Sequence, residues 1–320
     1  MTRPRAFTAV VGVSGVLFGT GLWLCAAAAP AAPGSPGESR QDRQDRREHS
    51  MFVSVVDQDG APVADLGPTD FVVKEDNRTR EVLRVGPADE PMQIAILVDT
   101  SQAAQGEIAH IRQALPPFVA TLTAPNAAGR RNEIAIIGIG ERPTILSDYS
   151  TDPTQIAKGV DRVWSLRSSG MYLLDAIVEV SQGLKKREAV RPVMIAIATS
   201  GIEYSNRQHD QALDPLKATG VAFYALMLGQ ADTSLRPEAR ERAIVLDEGP
   251  RATGGYNAQL LTGMALTPKL KQLADQLTHQ YRVTYSRPES LIPPEKITVS
   301  VARPGLAARG TPVREGLARP

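Results

Sequence analysis

Continuous apolar runs alternate with amphipathic segments through the middle of the chain. The runs occupy residues 93–98, 133–139, 192–198 and 221–228, a pattern typical of strands buried on both faces of a parallel sheet. The amphipathic segments, which we predict to be helices, occupy residues 107–122, 153–164, 173–184, 208–218 and 267–280. This alternation predicts βαβ units, and therefore a doubly wound, mostly parallel α/β sheet flanked by helices. Residues 143–149 follow a strand without an intervening helix, so we expect them to pair antiparallel at an edge.

Shorter β patterns flank this region. Residues 52–56, 70–77 and 80–85 predict a small N-terminal β-rich unit over 51–90, which is too small to fold without leaning on its neighbour. Residues 281–286 and 296–302 predict two further strands, which we assign to the α/β domain at 91–303. Residues 304–320 are rich in Gly, Pro, Ala and Arg and predict a flexible tail.

The N-terminus carries an export signature. Arg3 and Arg5 precede an uncharged run at 6–24 and an alanine-rich end, which predicts a signal peptide over 1–28. An uncleaved membrane anchor is the alternative, since the run is about long enough to span a bilayer. A lipoprotein is disfavoured, because lipidation sites carry a small residue before the cysteine, and here Leu24 precedes Cys25. Residues 29–50 are polar and charged, so we expect a disordered linker before an exported, periplasmic or secreted protein.

Composition excludes several classes of function. With 36 basic and 35 acidic residues the formal net charge is +1, which gives no general electrostatic reason to bind nucleic acid or an anionic membrane. Cys25 is the one cysteine and the four histidines are scattered, so cysteine-based metal sites are excluded. The mature chain has no Gly-x-Ser-x-Gly elbow. We therefore expect a protein that is not an enzyme.

The strongest local motif follows the first buried strand, where Asp99-Thr100-Ser101-Gln102-Ala103 precedes a helix. Ligands collect at the carboxyl ends of strands in open parallel sheets. Asp and Ser are also ordinary helix N-caps, so the motif alone does not separate a binding site from a cap.

Over residues 52–301 the chain resembles the von Willebrand factor type A (VWFA) family. The Asp-x-Ser after an apolar strand is similar to that domain. Residues 55–63, read as V-x-D-x-x-G-x-P-V, and Asp70-Phe71-Val72-Val73-Lys74-Glu75-Asp76 resemble the leader of VWFA-related proteins common in Acidobacteria. Residues 173–176, 252–256 and 280–285 also match stretches that recur in that family.

The resemblance implies a metal-ion-dependent adhesion site that holds Mg²⁺ through hydroxyls and carboxylates. Asp99 and Ser101 match its first two ligands, whereas Ala103, Met171 and Ser200 stand where Ser, Thr and Asp belong. Three of five ligand positions are thus altered and the site is degenerate. Three further residues could help to bind a metal, and we call them the helper residues: Ser169 (or its neighbour Ser168), Ser200 and Glu203. Binding of Mg²⁺ is therefore an open alternative.

The resemblance and the lack of a catalytic constellation together predict a Rossmann-like, exported, non-enzymatic protein-binding or adhesion domain. Its expected partner is another protein or a surface polymer, with no nucleic acid and no membrane contact beyond an N-terminal anchor. The alternative is a structural envelope or assembly component without a metal site. A hydrolase is the third hypothesis.

Overall fold

The computed structural model describes residues 48–230, 236–288 and 293–314, which contain thirteen strands and six α-helices. The strands are β1 (Glu48–Val56), β2 (Phe71–Glu75), β3 (Arg78–Arg80), β4 (Val82–Pro87), β5 (Met92–Val98), β6 (Glu133–Gly138), β7 (Thr144–Ser150), β8 (Arg191–Thr199), β9 (Ala222–Leu228), β10 (Asn257–Leu260), β11 (Tyr281–Ser286), β12 (Ile297–Val301) and β13 (Ala307–Pro312). The helices are α1 (Ile108–Thr123), α2 (Pro153–Asp161), α3 (Leu173–Lys186), α4 (His209–Thr219), α5 (Pro237–Thr253) and α6 (Leu266–Thr278).

The predicted signal peptide at 1–28 lies outside the described residues. The predicted linker at 29–50 extends too far, because its last three residues already belong to β1, which pairs with two other strands. No helix in the described ranges is long and apolar enough to cross a membrane.

Six strands form the central sheet in the order β10-β9-β8-β5-β6-β7. Neighbouring strands are parallel except for β7, which pairs antiparallel with β6 at the edge, as its position in the sequence predicts. Side chains from α1, α2 and α6 fill the core on one face, and those from α3, α4 and α5 fill the other. The predicted doubly wound α/β fold is confirmed.

A second unit is a β-sandwich to which both ends of the chain contribute. Its sheets have the orders β13-β1-β11-β4 and β12-β2-β3, and they share a core that includes Met51, Val53, Phe71 and Tyr285. The predicted unit at 51–90 is therefore incomplete, and the C-terminal strands assigned to the α/β domain at 91–303 belong to the sandwich instead. The α/β domain is an insertion between β4 and β11.

The predicted flexible tail at 304–320 is wrong for residues 307–312. This segment is β13, which pairs with β1 from Met51↔Pro312 to Val56↔Ala307. A β1 strand that is buried along most of its length needs hydrogen-bonding partners for its backbone, and β11 and β13 supply them on its two sides. Residues 315–320 lie outside the described part of the chain.

Candidate functional site

The candidate site lies at the carboxyl ends of β5 and β8, which are adjacent parallel strands. Asp99 and Ser101 follow β5 directly, and Ser200 and Gly201 follow β8. The sheet topology therefore brings the Asp-x-Ser motif and the Thr199-Ser200-Gly201 turn to the same edge, where open α/β sheets bind ligands.

Both oxygens of the Asp99 carboxylate accept hydrogen bonds from the protein. The side chain is 0% exposed. Its Oδ1 accepts a hydrogen bond from the backbone N–H of Ser101 at 2.8 Å. Its Oδ2 accepts from the backbone N–H and from the hydroxyl of Thr199, at 3.0 and 2.5 Å. Asp99 thus joins the ends of β5 and β8, a structural role that both of its oxygens serve.

The turn after β8 lies close to the Asp-x-Ser motif. A Cβ added to Gly201 would come within 2.7 Å of the Cβ of Ala103 and 3.3 Å of Oγ of Ser101, so the turn after β8 packs closely onto the motif. The hydroxyl of Ser101 is buried and has no hydrogen-bond partner among the described residues. Of the two side chains that match metal ligands of the family, Ser101 is thus the one that makes no hydrogen bond to the described protein.

Two of the three helper residues bind other groups, and the third is exposed. Ser169 donates its hydroxyl to the carbonyl of Leu166 at 2.8 Å, and the side chain of Ser200 is exposed. Glu203 instead caps the start of α3: its Oε1 accepts from the backbone N–H groups of Leu173 at 3.1 Å and Ser205 at 3.2 Å.

The donor set does not fit a divalent cation. Met171 is fully buried and apolar where the resemblance expects a Thr, and Ala103 offers no oxygen. Within the described ranges no cluster of three His, Cys, Asp or Glu side chains could hold a metal. Magnesium needs oxygen ligands with charge, and here the sole carboxylate at the motif already accepts three hydrogen bonds.

Glu203 is a buried acid whose ionisation opposes folding. Burial raises the pKa of its carboxyl above the ordinary 4.5, although hydrogen bonding from Ser205 and the positive charge of Arg242 lower it in part. Its second oxygen is buried with no partner among the described residues. The pKa of Glu203 is higher in the folded protein than in the unfolded chain. Its contribution to the free energy of unfolding is therefore fully present below the unfolded-state pKa and is lost as pH rises through the folded-state pKa.

We therefore expect Glu203→Gln to gain stability relative to the wild type as pH rises. Glutamine retains an oxygen that can accept from Leu173 and Ser205 but does not ionise. Urea denaturation at about pH 4 and about pH 8 measures the difference in the free energy of unfolding between the two proteins. A difference that stays constant between the two pH values would contradict this account of Glu203.

Large exposed apolar side chains gather at the same end of the sheet. Seven are exposed in the described part of the chain: Ile145, Trp164, Leu166, Ile202, Tyr204, Leu261 and Met264. Six lie on loops that lead from or run past the carboxyl ends of the parallel strands, and Ile145 pairs with Ile137 near the end of β6. We call the surface formed by these seven side chains and the loops 139–143, 162–172, 200–208 and 261–265 the upper face.

The loops of the upper face hold one another in place. Leu166 donates its backbone N–H to the carbonyl of Thr100 at 2.8 Å. The ring of Tyr204 covers Gly170, where an added Cβ would lie 2.7 Å from Cγ of the ring. On the flank, the guanidinium of Arg112 stacks over Trp164 at 4.3 Å. The apolar side chains are thus presented by an ordered surface.

The charged residues of the upper-face loops are mostly arginines. These loops contain Arg142, Arg162, Arg167 and Arg207 and no lysine, and Glu141 is their one exposed carboxylate. Arg207 binds Asp175 at 2.6 Å, whereas Arg142 and Arg167 have no side-chain partner among the described residues. The sequence did not identify the apolar residues of this surface, because most of them lie in loops without strand or helix spacing.

Known proteins resemble this chain in structure, at low sequence identity. No family model and no curated protein sequence matches the chain. Among solved structures it is similar to a von Willebrand factor type A protein from Catenulispora acidiphila, with 12% identity, 84% of this chain and 73% of that chain covered, and a TM-score of 0.49.

Two further structures show a similar degree of likeness. The hypothetical protein BatB from Bacteroides thetaiotaomicron has 10% identity, with 59% of this chain and 99% of that chain covered and a TM-score of 0.44. The vWF domain of the type V pili tip protein Mfa5 from Porphyromonas gingivalis has 10% identity, with 59% and 96% covered and a TM-score of 0.43. The chain's own sheet topology and its Asp-x-Ser motif after β5 agree with a von Willebrand factor type A-like domain, as the sequence predicts.

Proposed function

We propose that this von Willebrand factor type A-like domain is an exported, non-enzymatic binding domain that holds a protein partner on its upper face without a metal ion. The observation that carries the proposal is that the seven large apolar side chains exposed in the described part of the chain all lie at the carboxyl end of the sheet. Single exposed apolar residues are normal on any protein, but their concentration at one end of a domain favours an interaction surface.

The residue types of the upper face support a protein partner. Trp164, Tyr204 and Met264 lie on it together with four loop arginines and no lysine. Aromatic residues, Met and Arg are enriched where proteins meet, whereas Lys, Glu and Asp are depleted. The arginines without carboxylate partners, Arg142 and Arg167, favour acidic groups on the partner.

The rigidity of the upper face also favours binding. Its loops are fixed by the bond from Leu166 to Thr100, by the packing of Tyr204 on Gly170, and by backbone hydrogen bonds in both directions between Met171 and the 202–204 segment. A surface that is already ordered loses little conformational entropy when a partner binds, so more of the contact energy appears as affinity.

The state of Asp99 explains why the binding we propose does not use a metal. An adhesion site of the metal-dependent kind offers a cation to an acidic group of the partner. Here the Asp99 carboxylate is buried and satisfied by Ser101 and Thr199. The attraction must therefore come from the apolar and arginine side chains that surround it. Export is supported by the signal sequence, and the lack of a catalytic constellation supports a role other than catalysis.

Substitutions on the upper face test the proposal. The immobilised mature protein is used to capture a partner from an envelope extract, and the same partner is then titrated against Ile202→Glu and Tyr204→Ser. Because central interface residues contribute about 2 kcal/mol or more, we expect each variant to weaken binding by about 30-fold. Ala120→Glu, at an exposed position near the C-terminal end of α1, introduces the same charge as Ile202→Glu far from the start of that helix at the upper face, and it should bind like the wild type.

Equal affinity of the wild type and both upper-face variants for the captured partner would reject the proposal. Thermal unfolding of all four proteins serves as the folding control: the exposed position Ile202 should contribute little to stability, and any loss from removing the Tyr204 ring contact with Gly170 is measured directly.

A further inference from the structure

Two cations meet around one tyrosine ring where the sandwich contacts the α/β domain. Tyr256 lies just before β10, Lys269 lies on α6, and Arg309 lies on β13 of the sandwich. The Nζ of Lys269 is 4.6 Å and the Cζ of Arg309 is 5.1 Å from the centroid of the Tyr256 ring. The three side chains are each half-buried, so the charges are partly removed from water.

No carboxylate neutralises this pair within the described residues. Lys269 donates to the amide oxygen of Gln272 at 2.8 Å and forms no salt bridge, and Arg309 forms none either. Burial lowers the pKa of Lys269, and the positive charge of Arg309 lowers it further. The charged group that acts most strongly on Lys269 is therefore another cation.

The same place holds a buried donor without an acceptor. The hydroxyl of Tyr256 is buried and has no hydrogen-bond partner among the described residues, although its ring contacts Tyr224 edge to face at 5.3 Å. Burial raises the pKa of Tyr256, so the hydroxyl keeps its proton. Buried polar groups in proteins are nearly always paired, and a buried hydroxyl donor beside two cations that have no carboxylate partner among the described residues is a set of groups that suits an anion.

We propose that Lys269 and Arg309 form an anion site that binds a phosphate group at the junction of the two units, with the Tyr256 hydroxyl as an additional donor. A phosphate carries close to two negative charges at neutral pH and several acceptor oxygens, which matches two cations and a hydroxyl. The planar guanidinium of Arg309 suits two phosphate oxygens, and Lys269 supplies a compact point charge. The group has two sources, free phosphate or a phosphate ester of an envelope polymer.

The site draws its residues from both units, so binding should couple to stability. Arg309 belongs to β13, which also fixes the end of α5 through the hydroxyl of Thr311, a donor to the carbonyl of Thr253 at 2.7 Å. An anion held between Arg309 and Lys269 replaces their repulsion by attraction across the junction. A ligand that binds the folded state alone raises the unfolding temperature with its concentration.

The experiment is calorimetric titration of the mature protein with inorganic phosphate and, in a second arm, with glycerol phosphate at equal ionic strength. We expect saturable binding of the free anion, the ester or both in the wild type, and a loss of about 10- to 100-fold in affinity for Lys269→Gln and for Arg309→Gln. Binding of inorganic phosphate alone assigns the free anion, and binding of the ester assigns an esterified source.

Lys271→Gln is the matched control, because Lys271 is exposed on the same helix and its loss changes net charge equally. It should bind either anion like the wild type. The unfolding temperature provides a second readout: phosphate should raise that of the wild type and of Lys271→Gln more than that of Lys269→Gln. No saturable binding of either anion, or equal affinity in all four proteins, would overturn the proposal.

Discussion

Replacing Arg191 by methionine should lower the free energy of unfolding by about 3–5 kcal/mol, because it removes one side of a buried polar network. Arg191 begins β8 and is 4% exposed. Burial lowers the pKa of its guanidinium to about 10, and the neighbouring carboxylate of Glu90 counteracts that shift. The side chain is therefore charged at neutral pH and must be solvated by the protein itself.

Four acceptors surround this guanidinium. Two nitrogens donate to Oε1 of Gln280 at 3.2 and 2.7 Å. The remaining bonds reach the backbone carbonyls of Ala88 at 2.9 Å, Glu90 at 3.1 Å and Leu277 at 2.7 Å. These acceptors lie on the connection from β4 to β5 and at the end of α6, so Arg191 fixes both segments that join the α/β domain to the sandwich. Methionine fills similar space but leaves the acceptors unpaired.

Arg84→Met is the matched control for this substitution. Arg84 is 68% exposed and pairs with Glu48 on the surface of the sandwich. Surface ion pairs contribute about 0–1 kcal/mol, so this variant should stay close to the wild type. Urea denaturation of the three proteins measures the difference. Arg191→Met with stability within about 1 kcal/mol of Arg84→Met would show that the network does not hold the two units together.

Gly255→Ala should be the most damaging glycine substitution near the central sheet. An added Cβ at Gly255 would overlap the carbonyl oxygen of Phe223 and lie 2.6 Å from the carbonyl carbon. Both atoms belong to the backbone of β9, so the strand leading into β10 would have to move away. That movement breaks the hydrogen bond from the N–H of Ala225 to the carbonyl of Tyr256 at 3.0 Å. We expect a loss of about 3 kcal/mol or more.

Gly183→Ala provides the matched control for Gly255→Ala. Gly183 lies inside α3, and an added Cβ there meets nothing within 4 Å. Alanine favours helix over glycine, so this variant should gain about 0.5–1 kcal/mol. Each alanine variant adds one methyl group to the wild type. Chemical denaturation should give Gly183→Ala a higher free energy of unfolding than the wild type, and Gly255→Ala a lower one. Equal stability of the two would contradict the close approach at β9.

The central sheet could be predicted because its strands have a strong local signal. Residues of β5, β8 and β9 are apolar on both faces, and the helices between them repeat at helical spacing. Helix α5 was not among the predicted helical segments: it carries seven charged residues in Pro237–Thr253, together with Gly249 and Pro250 near its end, so its apolar stripe is interrupted. Propensity in such a segment is overridden by tertiary packing of Val245 and Leu246.

The sandwich could not be predicted from local patterns, because its pairings span the whole chain. β1 pairs with β11 and β13, and β2 pairs with β12, more than 200 residues away. Strand spacing indicates that a strand exists and does not indicate its partner. β13 also contains Ala307, Gly310 and Pro312, residue types that are uncommon in strands, and so resembled a tail.

The candidate site was predicted in part for a related reason. Asp99 and Ser101 are close in sequence, so they are also close in the fold. The hydrogen-bond partners of Glu203 depend instead on its side-chain conformation, which the sequence does not indicate. Its carboxylate accepts from the N–H of Leu173 at the start of α3 and from the N–H of Ser205. The exposed apolar side chains of the upper face were not predicted: Ile202 and Met264 lie in loops with no periodic pattern, and Trp164 lies beyond the end of α2, although its segment was predicted to be helical.

The most direct test of the central claim is the dissociation constant of the captured partner in Mg²⁺ and in EDTA. Metal-independent binding on the upper face predicts that the two constants agree within about twofold, with Ile202→Glu weakened by about 30-fold in both buffers. Loss of binding by more than about tenfold in EDTA, with full affinity restored by Mg²⁺, would contradict it, because Asp99 and Ser101 would then hold a cation.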